Sequence, residues 1–141
     1  MNMINYKAKY FNYSVSNGIA LISLTGAEQK NPLTFESYAE LRDFFREIVY
    51  CDDIHAVIFG SNAGNFCSGG NVNDIIGPLV KMSMKELLNF TRMTGDVIKA
   101  MINCQKPIIA SVDGICVGAG AILAMASDIR IATPEAKTAF L

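Results

Sequence analysis

Two glycine-rich segments have the residue types that bring backbone N–H groups close to a ligand. Residues 65–72 contain Gly69-Gly70, and residues 111–128 contain Gly118-Ala119-Gly120. Glycine has no Cβ, so the backbone can turn sharply and approach a ligand closely. Each segment follows a predicted strand and precedes a predicted helix, whose first N–H groups point outward with the positive end of the helix dipole. Taken singly, each is also typical of a plain turn or of close helix packing.

Together, the two segments predict an oxyanion hole. Two such corners in adjacent parallel units would direct two backbone N–H groups at one point. Preorganised donors about 3 Å from an oxygen stabilise the charge that it gains in a transition state. The sequence therefore predicts the electrophilic half of a catalytic site.

A catalytic site of this kind also needs a side chain that acts as general acid or base. The candidates in this sequence are better explained by structural roles. His55 is the single histidine and precedes a predicted buried strand, and Asp113 lies in a glycine turn. Cys67 is near a helix start, which can lower the pKa of a thiol, but a small packing residue is the better interpretation. The sequence offers no convincing general base.

The elements that must position these segments alternate between strand and helix. Apolar runs and turn residues predict strands over 10–15, 19–24, 56–59, 107–112 and 128–132, and helices over 35–48, 72–76, from 83 to about 102, and 118–127. Asn17-Gly18 predicts a hairpin, and Thr34 and Ser83 predict helix caps. On the long helix, the predicted buried face comprises Leu87, Leu88, Phe90, Met93, Val97, Ile98, Met101 and Ile102. This order predicts a layered α/β fold with right-handed crossovers.

Composition limits the classes of partner. The 141 residues are 51% hydrophobic, enough for one core, and 12 basic against 13 acidic residues give a net charge of −1. Such a balance predicts no binding to nucleic acid or to a membrane surface. The N-terminus has no apolar signal-peptide core, so the cytoplasm is expected. The four cysteines are too scattered for a disulfide frame or a zinc site: Cys51, Cys67, Cys104 and Cys116.

Three stretches resemble the enoyl-CoA hydratase/isomerase (crotonase) superfamily. Phe66–Val72 resembles its Phe-x-x-Gly-x-Asp motif, Pro107–Ile131 its longer glycine-rich signature, and Leu24–Leu33 its first loop for coenzyme A. The resemblance implies a crotonase-like α/β fold, with repeated ββα-type units and a layered parallel sheet. Because the chain ends on the apolar pair Phe140-Leu141, we expect residues 1–141 to be the N-terminal portion of one such domain, truncated before its C-terminal helices.

The resemblance also implies a set of site residues. Gly70 and Ala119 would donate their backbone N–H groups to a thioester oxygen. The binding site for coenzyme A and the acyl group would be lined by Glu28, Gln29, Lys30, Ser68, Gly69, Asn71, Val72, Gly118 and Ile122. No metal and no separate cofactor is expected, because coenzyme A enters as part of the acyl-CoA substrate.

The chain departs from the family pattern at three of these positions. Asn71 replaces the usual Asp, and Ala119 the usual Gly, neither of which should affect a backbone donor. Ile122 replaces one catalytic glutamate of the hydratases, and the second would fall just beyond Leu141. Hydration needs a general acid/base, and the resemblance assigns no residue of this chain to that role.

The sequence therefore predicts an enoyl-CoA hydratase/isomerase, active through enolate stabilisation and, at full length, a homotrimer or hexamer as is usual for the superfamily. A non-catalytic acyl-CoA-binding fragment is the alternative. A dinucleotide-binding oxidoreductase is disfavoured: Gly118-x-Gly120-x-x-x-Ala124 and Glu135 imitate its fingerprint, but the helix between them is too short for that unit.

Overall fold

The computed structural model describes residues 2–140, so Met1 and Leu141 lie outside the described residues. The strands are β1 (Phe11–Ser16), β2 (Ile19–Leu24), β3 (Ala56–Gly60), β4 (Ile108–Val112), β5 (Ile115–Val117), β6 (Ile129–Ala132) and β7 (Lys137–Ala139). The helices are α1 (Phe35–Glu47), α2 (Gly77–Leu79), α3 (Met84–Ile102) and α4 (Ala119–Ala126), and a π-helical turn (Val72–Ile76) precedes α2. The predicted α/β class and each predicted element are confirmed, with ends that shift by one or two residues.

The main sheet has the order β1-β2-β3-β4-β6. β1 and β2 pair antiparallel, and every later pair in this sheet is parallel. The hairpin turns at Asn17-Gly18, whose φ angles of 51° and 76° are the positive values that a tight two-residue turn requires. The parallel strands β3 and β4 thus lie side by side, ahead of the two glycine-rich segments.

Helices α1 and α3 begin where the sequence predicts and pack against each other and the sheet. Thr34 Oγ1 accepts from Ser37 N at 3.2 Å, and Ser83 Oγ accepts from Glu86 N at 3.3 Å. Phe45 of α1 packs against Phe59 of β3, with ring centroids 6.4 Å apart. Among residues 2–140, no helix combines the length and apolarity that a membrane crossing needs.

The prediction for α3 was wrong at two positions of its apolar face. Val97 and Met101 are buried as expected, but Leu88 and Ile102 are exposed. The buried residues of this 19-residue helix all lie in its C-terminal half. Leu88 lies in the N-terminal half, which does not pack into the core.

A second, smaller sheet was not predicted from the sequence. β5 and β7 pair in parallel. The backbone of Cys67 forms a parallel β-bridge with the backbone of Cys116 in β5, and both thiols are free. On the other side of the same segment, Gly70 bridges to Leu33. Strands of three residues are too short to show an alternating pattern, which is why the sequence predicted only a turn between β4 and α4.

Edge strand β6 carries exposed apolar side chains. Ile129 and Ile131, two residues apart and therefore on one face, are 53% and 63% exposed. Because exposed apolar edges favour association, we expect the isolated 141-residue chain to self-associate in sedimentation velocity. Replacing both with lysine should reduce the association. A monodisperse, cooperatively melting unsubstituted monomer would contradict this expectation.

Candidate active site

The N–H of Gly70 is left free by the way its segment pairs. Leu33 N donates to Gly69 O at 2.7 Å, and Asn71 N donates to Leu33 O at 2.8 Å. In a parallel bridge of this kind, the N–H of the central residue points to the opposite side. Among residues 2–140, no acceptor receives it.

The N–H of Ala119 is free because it opens helix α4. Gly118 has φ 55° and ψ −126°, a conformation that essentially only glycine adopts, and its own N–H donates to Ala139 O at 2.9 Å. The first hydrogen bond of the helix runs from Ile122 N to Gly118 O at 3.2 Å. Ala119 N–H, one of the unsatisfied donors of a helix start, therefore has no acceptor within the described part of the chain. Gly118 shapes this turn and has no free N–H to offer a ligand.

The two segments meet directly. A methyl group on Gly69, whose φ is 92°, would lie 3.7 Å from Ala119 N. A methyl group on Gly120 would lie 2.6 Å from both Cys67 Cβ and Cys67 O, so α4 can press against residues 67–70 only because position 120 is glycine. The structure thus brings Gly70 and Ala119 to neighbouring corners. These corners follow the short Cys67 segment and β5, not the ends of β3 and β4 as the sequence suggested.

Cys67 lies behind this corner as a packing residue. It is fully buried, and its Sγ accepts from Gly69 N at 3.3 Å. Burial raises the pKa of the Cys67 thiol to about 12, outweighing the opposite effect of that hydrogen bond. The thiol therefore stays protonated at neutral pH, which agrees with the interpretation of Cys67 as a small packing residue.

The loop that contains Glu28, Gln29 and Lys30 is fastened to the Gly70 segment. Ser68 N donates to Lys30 O at 2.9 Å, and Ser68 Oγ donates to Gln29 O at 2.9 Å. The side chains of Glu28, Gln29 and Lys30 are exposed beside this junction. Residues that are distant in sequence therefore form one continuous surface next to Gly70.

Asn71 connects that loop to the turn after Gly70. Its Oδ1 accepts from Asn73 N at 2.9 Å and from Asp74 N at 3.0 Å, which caps the π-helical turn. Its Nδ2 donates to Gln29 Oε1 at 3.1 Å, a bond that an ionised Asp at this position could not make. Val72, the next residue, is exposed.

Two cavities flank the free N–H groups. One of about 200 Å³ includes Gly70 and has three amide side chains among its six lining residues: Gln29, Pro32, Gly70, Asn71, Val72 and Asn73. The other, of about 410 Å³, is mainly apolar and includes Ala119: Tyr38, Phe90, Thr91, Thr94, Gly95, Ile98, Ala119, Ile122 and Leu123. Cavities of about 620 and 670 Å³ also exist, but neither is lined by Gly70 or Ala119.

Sequence reasoning missed most of the second cavity. Tyr38, Phe90 and Ile98 carry the helical spacing of a core face, and nothing in that pattern separates a core side chain from one that lines a pocket. Ile122 was predicted, and it lies in the cavity wall, 43% exposed. Within residues 2–140, no Asp, Glu, His or Lys side chain lines this cavity.

The dinucleotide-binding alternative finds no support in the topology. In that motif, the strands before and after the glycine-rich helix belong to one parallel sheet. Here β5, before α4, pairs with β7, whereas β6, after α4, pairs with β4 in the main sheet.

Known proteins resemble this chain in sequence and in fold. The family model for enoyl-CoA hydratase/isomerase matches residues 14–140. A probable enoyl-CoA hydratase of Mycobacterium tuberculosis is 33% identical over 123 residues, which cover 87% of this chain and 46% of the relative. The 1,2-epoxyphenylacetyl-CoA isomerase of Escherichia coli is 28% identical over 127 residues, covering 87% and 47%.

A solved structure from Streptomyces coelicolor, assigned as an enoyl-CoA hydratase, superposes with a TM-score of 0.87 at 39% identity, covering 92% of this chain and 46% of that one. The chain thus spans about half the length of the relatives that it matches. The family match over residues 14–140 and the shared fold confirm the predicted resemblance. This chain belongs to the enoyl-CoA hydratase/isomerase family.

Proposed function

We propose that the protein acts on an acyl-CoA thioester, whose carbonyl oxygen accepts hydrogen bonds from Gly70 N–H and Ala119 N–H. The observation that carries this proposal is the pair of acceptor-free N–H groups at two touching corners, each at the wall of a cavity. A thioester placed there would have its polar coenzyme A portion on the Gly70 side and its acyl group on the Ala119 side.

The coenzyme A portion is assigned to the surface around Gln29. Exposed Glu28, Lys30 and Val72 and half-buried Ser68 form the surface of this junction. Gly69 and Asn71 are buried and support it from below, and the N–H and C=O of Gly69 are both used within the chain. Lys30 adds a positive charge for a phosphate there. The acyl group is assigned to the cavity of Ala119 and Ile122, at the turn that Gly118 shapes.

The two N–H donors would stabilise the negative charge that develops on the thioester oxygen during the reaction. Enolate formation requires a base that takes the α-proton, and the described residues that line the acyl cavity do not supply one. The electron pair of the C–H bond then forms a C=C bond, and the π pair of the carbonyl moves onto its oxygen as negative charge. Fixed N–H groups stabilise that enolate more than the neutral thioester, which lowers the barrier. Protonation of the same framework at another carbon would shift a double bond. Isomerisation is therefore the proposed reaction, and the name of the Escherichia coli relative includes that reaction class.

Acyl-CoA binding without turnover is the second candidate. It is favoured by the absence of acidic or basic side chains around the acyl cavity within residues 2–140. Turnover of a 3-enoyl-CoA would separate catalysis from binding alone, because a binding protein would leave this ligand unchanged.

We further propose that the full-length protein is a homotrimer or hexamer.

Calorimetric titration of the full-length natural protein tests the ligand class. We expect acetoacetyl-CoA to bind and NAD to give no heat of binding, because the cavities flank the two acceptor-free N–H groups and the dinucleotide topology is not formed. Free coenzyme A serves as a control for the contribution of the acyl group. Tight binding of NAD with no response to either coenzyme A ligand would contradict the proposal.

A further inference from the structure

The apolar cavity beside Ala119 contains one side-chain donor that no protein group uses. Three hydroxyl-bearing residues line it: Tyr38, Thr91 and Thr94. Thr91 Oγ1 donates to Leu87 O at 3.0 Å, and Thr94 Oγ1 donates to Thr91 O at 3.1 Å. Both threonine protons are therefore committed to the backbone of α3.

The Tyr38 hydroxyl is not committed. It makes no hydrogen bond with any residue between 2 and 140, although Tyr38 is only 6% exposed. Among the described residues, Asn31 Oδ1 is the one polar side-chain atom that is both fully enclosed and without a hydrogen-bond partner. The Tyr38 hydroxyl also lacks a partner, so it is not fully enclosed. Tyr38 lines the cavity, and its hydroxyl is the one polar atom of the side chain that can be presented there.

The ring of Tyr38 is held in place. Tyr38 lies in the first turns of α1, and its ring meets Phe90 edge-on, with centroids 6.0 Å apart. Phe35 packs on the same Phe90 ring at 5.3 Å. Burial raises the pKa of Tyr38, so the group stays a neutral donor at ordinary pH. A donor that is fixed and largely desolvated favours a ligand that supplies an acceptor.

We infer that Tyr38 is a specificity-determining residue, which selects acyl groups that carry a neutral oxygen acceptor, a hydroxyl or a carbonyl, over plain hydrocarbon chains. This inference rests on the proposed acyl-CoA function. The remaining walls are apolar, from Phe90, Ile98, Ile122 and Leu123. No Lys, Arg or His of the described residues lines the cavity, so a carboxylate on the acyl group would be desolvated without a counter-charge.

Equilibrium titration of the full-length natural protein with three CoA thioesters of equal chain length tests the inference. The ligands are hexanoyl-CoA, 3-hydroxyhexanoyl-CoA and 5-hydroxyhexanoyl-CoA. We expect at least one hydroxylated ligand to bind about three- to tenfold more tightly than hexanoyl-CoA, the range of one net hydrogen bond. Tyr38→Phe should abolish this preference and leave hexanoyl-CoA affinity unchanged.

Tyr50→Phe is the matched control, because Tyr50 is 83% exposed and lies outside this cavity. It should keep the preference. Thermal melting should show Tyr38→Phe to be as stable as the parent, since the lost hydroxyl has no protein partner. Equal affinities for the three ligands, or a preference that survives Tyr38→Phe, would overturn the role of Tyr38 and leave the proposed function standing. Failure of all three to bind would overturn the proposed function and this inference with it.

Discussion

Replacing Gly70 with proline should lower turnover of an acyl-CoA thioester by roughly 10²–10³-fold in the full-length natural protein. Proline has no N–H, so the substitution deletes one of the two proposed oxyanion donors. Loss of one such donor typically costs about 3–4 kcal/mol of transition-state stabilisation. The substitution breaks no internal hydrogen bond, because Gly70 N–H has no acceptor among residues 2–140. Steady-state kinetics on a 3-enoyl-CoA would measure the loss.

Gly70→Ala is the matched control for that substitution. A methyl group at position 70 would meet Ile75 and Ile76 side chains at 3.6 Å, an ordinary contact distance, and the N–H would remain. The alanine variant should therefore keep most of its activity. If the proline variant melted like the parent and kept full turnover, Gly70 would not be a donor.

The second proposed donor, Ala119 N–H, can also be removed by a single substitution. Ala119 is the first residue of α4, the helix position at which proline is best tolerated. Ala119→Pro should therefore keep the helix and lose the N–H, with a similar loss of turnover, whereas Ala119→Ser keeps the donor. Because both N–H groups would act on one oxygen, the two losses should not be additive.

The parts of the fold that the sequence predicted are those with local signals. Capping residues Thr34 and Ser83, the Asn17-Gly18 turn and the continuous apolar run of β3 each specify their element within a few residues. The pairing of β5 with β7 carries no such signal. It joins residues about twenty positions apart, Cys116 opposite Thr138, in strands of three residues each.

The same distinction applies to the candidate site. The two glycine corners could be predicted, because glycine is required where α4 meets residues 67–70 and glycine is visible in a sequence. The donor roles of Gly70 and Ala119 stay a prediction. The acyl cavity could not, because Tyr38 and Phe90 come from two helices that approach each other only in the folded chain. The Asn71–Gln29 hydrogen bond is likewise formed by two amides that nothing local connects. Chemistry carried by backbone conformation was therefore easier to predict than chemistry carried by side-chain convergence.

The largest mechanistic consequence concerns Ile122. It lines the same cavity as Ala119, at the position where the family resemblance places one catalytic glutamate of the hydratases. An isoleucine there cannot hold or activate a water molecule, and a positioned general acid or base typically contributes 10²–10⁴-fold. We therefore expect crotonyl-CoA hydration by the full-length natural protein to be weak. A 3-enoyl-CoA should be isomerised, because that reaction needs no activated water and its single base can come from outside the residues that line this cavity. Parallel assays with crotonyl-CoA, a 3-enoyl-CoA and a saturated acyl-CoA would separate hydration, isomerisation and thioester hydrolysis.

Restoring the carboxylate tests the same point from the other side. Ile122 is 43% exposed, so a glutamate at this position can remain partly hydrated and ionised. Ile122→Glu should raise crotonyl-CoA hydration by about tenfold or more, part of the full effect of a positioned acid or base. Ile122→Gln has the same shape without the charge and should give no gain, which separates proton transfer from a change of cavity volume. Hydration by the unsubstituted protein with kcat/KM on the order of 10⁶ M⁻¹s⁻¹ or more, a rate typical of efficient enzymes, would show that Ile122 does not disable the reaction. The water would then have to be activated by a group outside the cavity wall formed by Tyr38, Phe90 and Ile122.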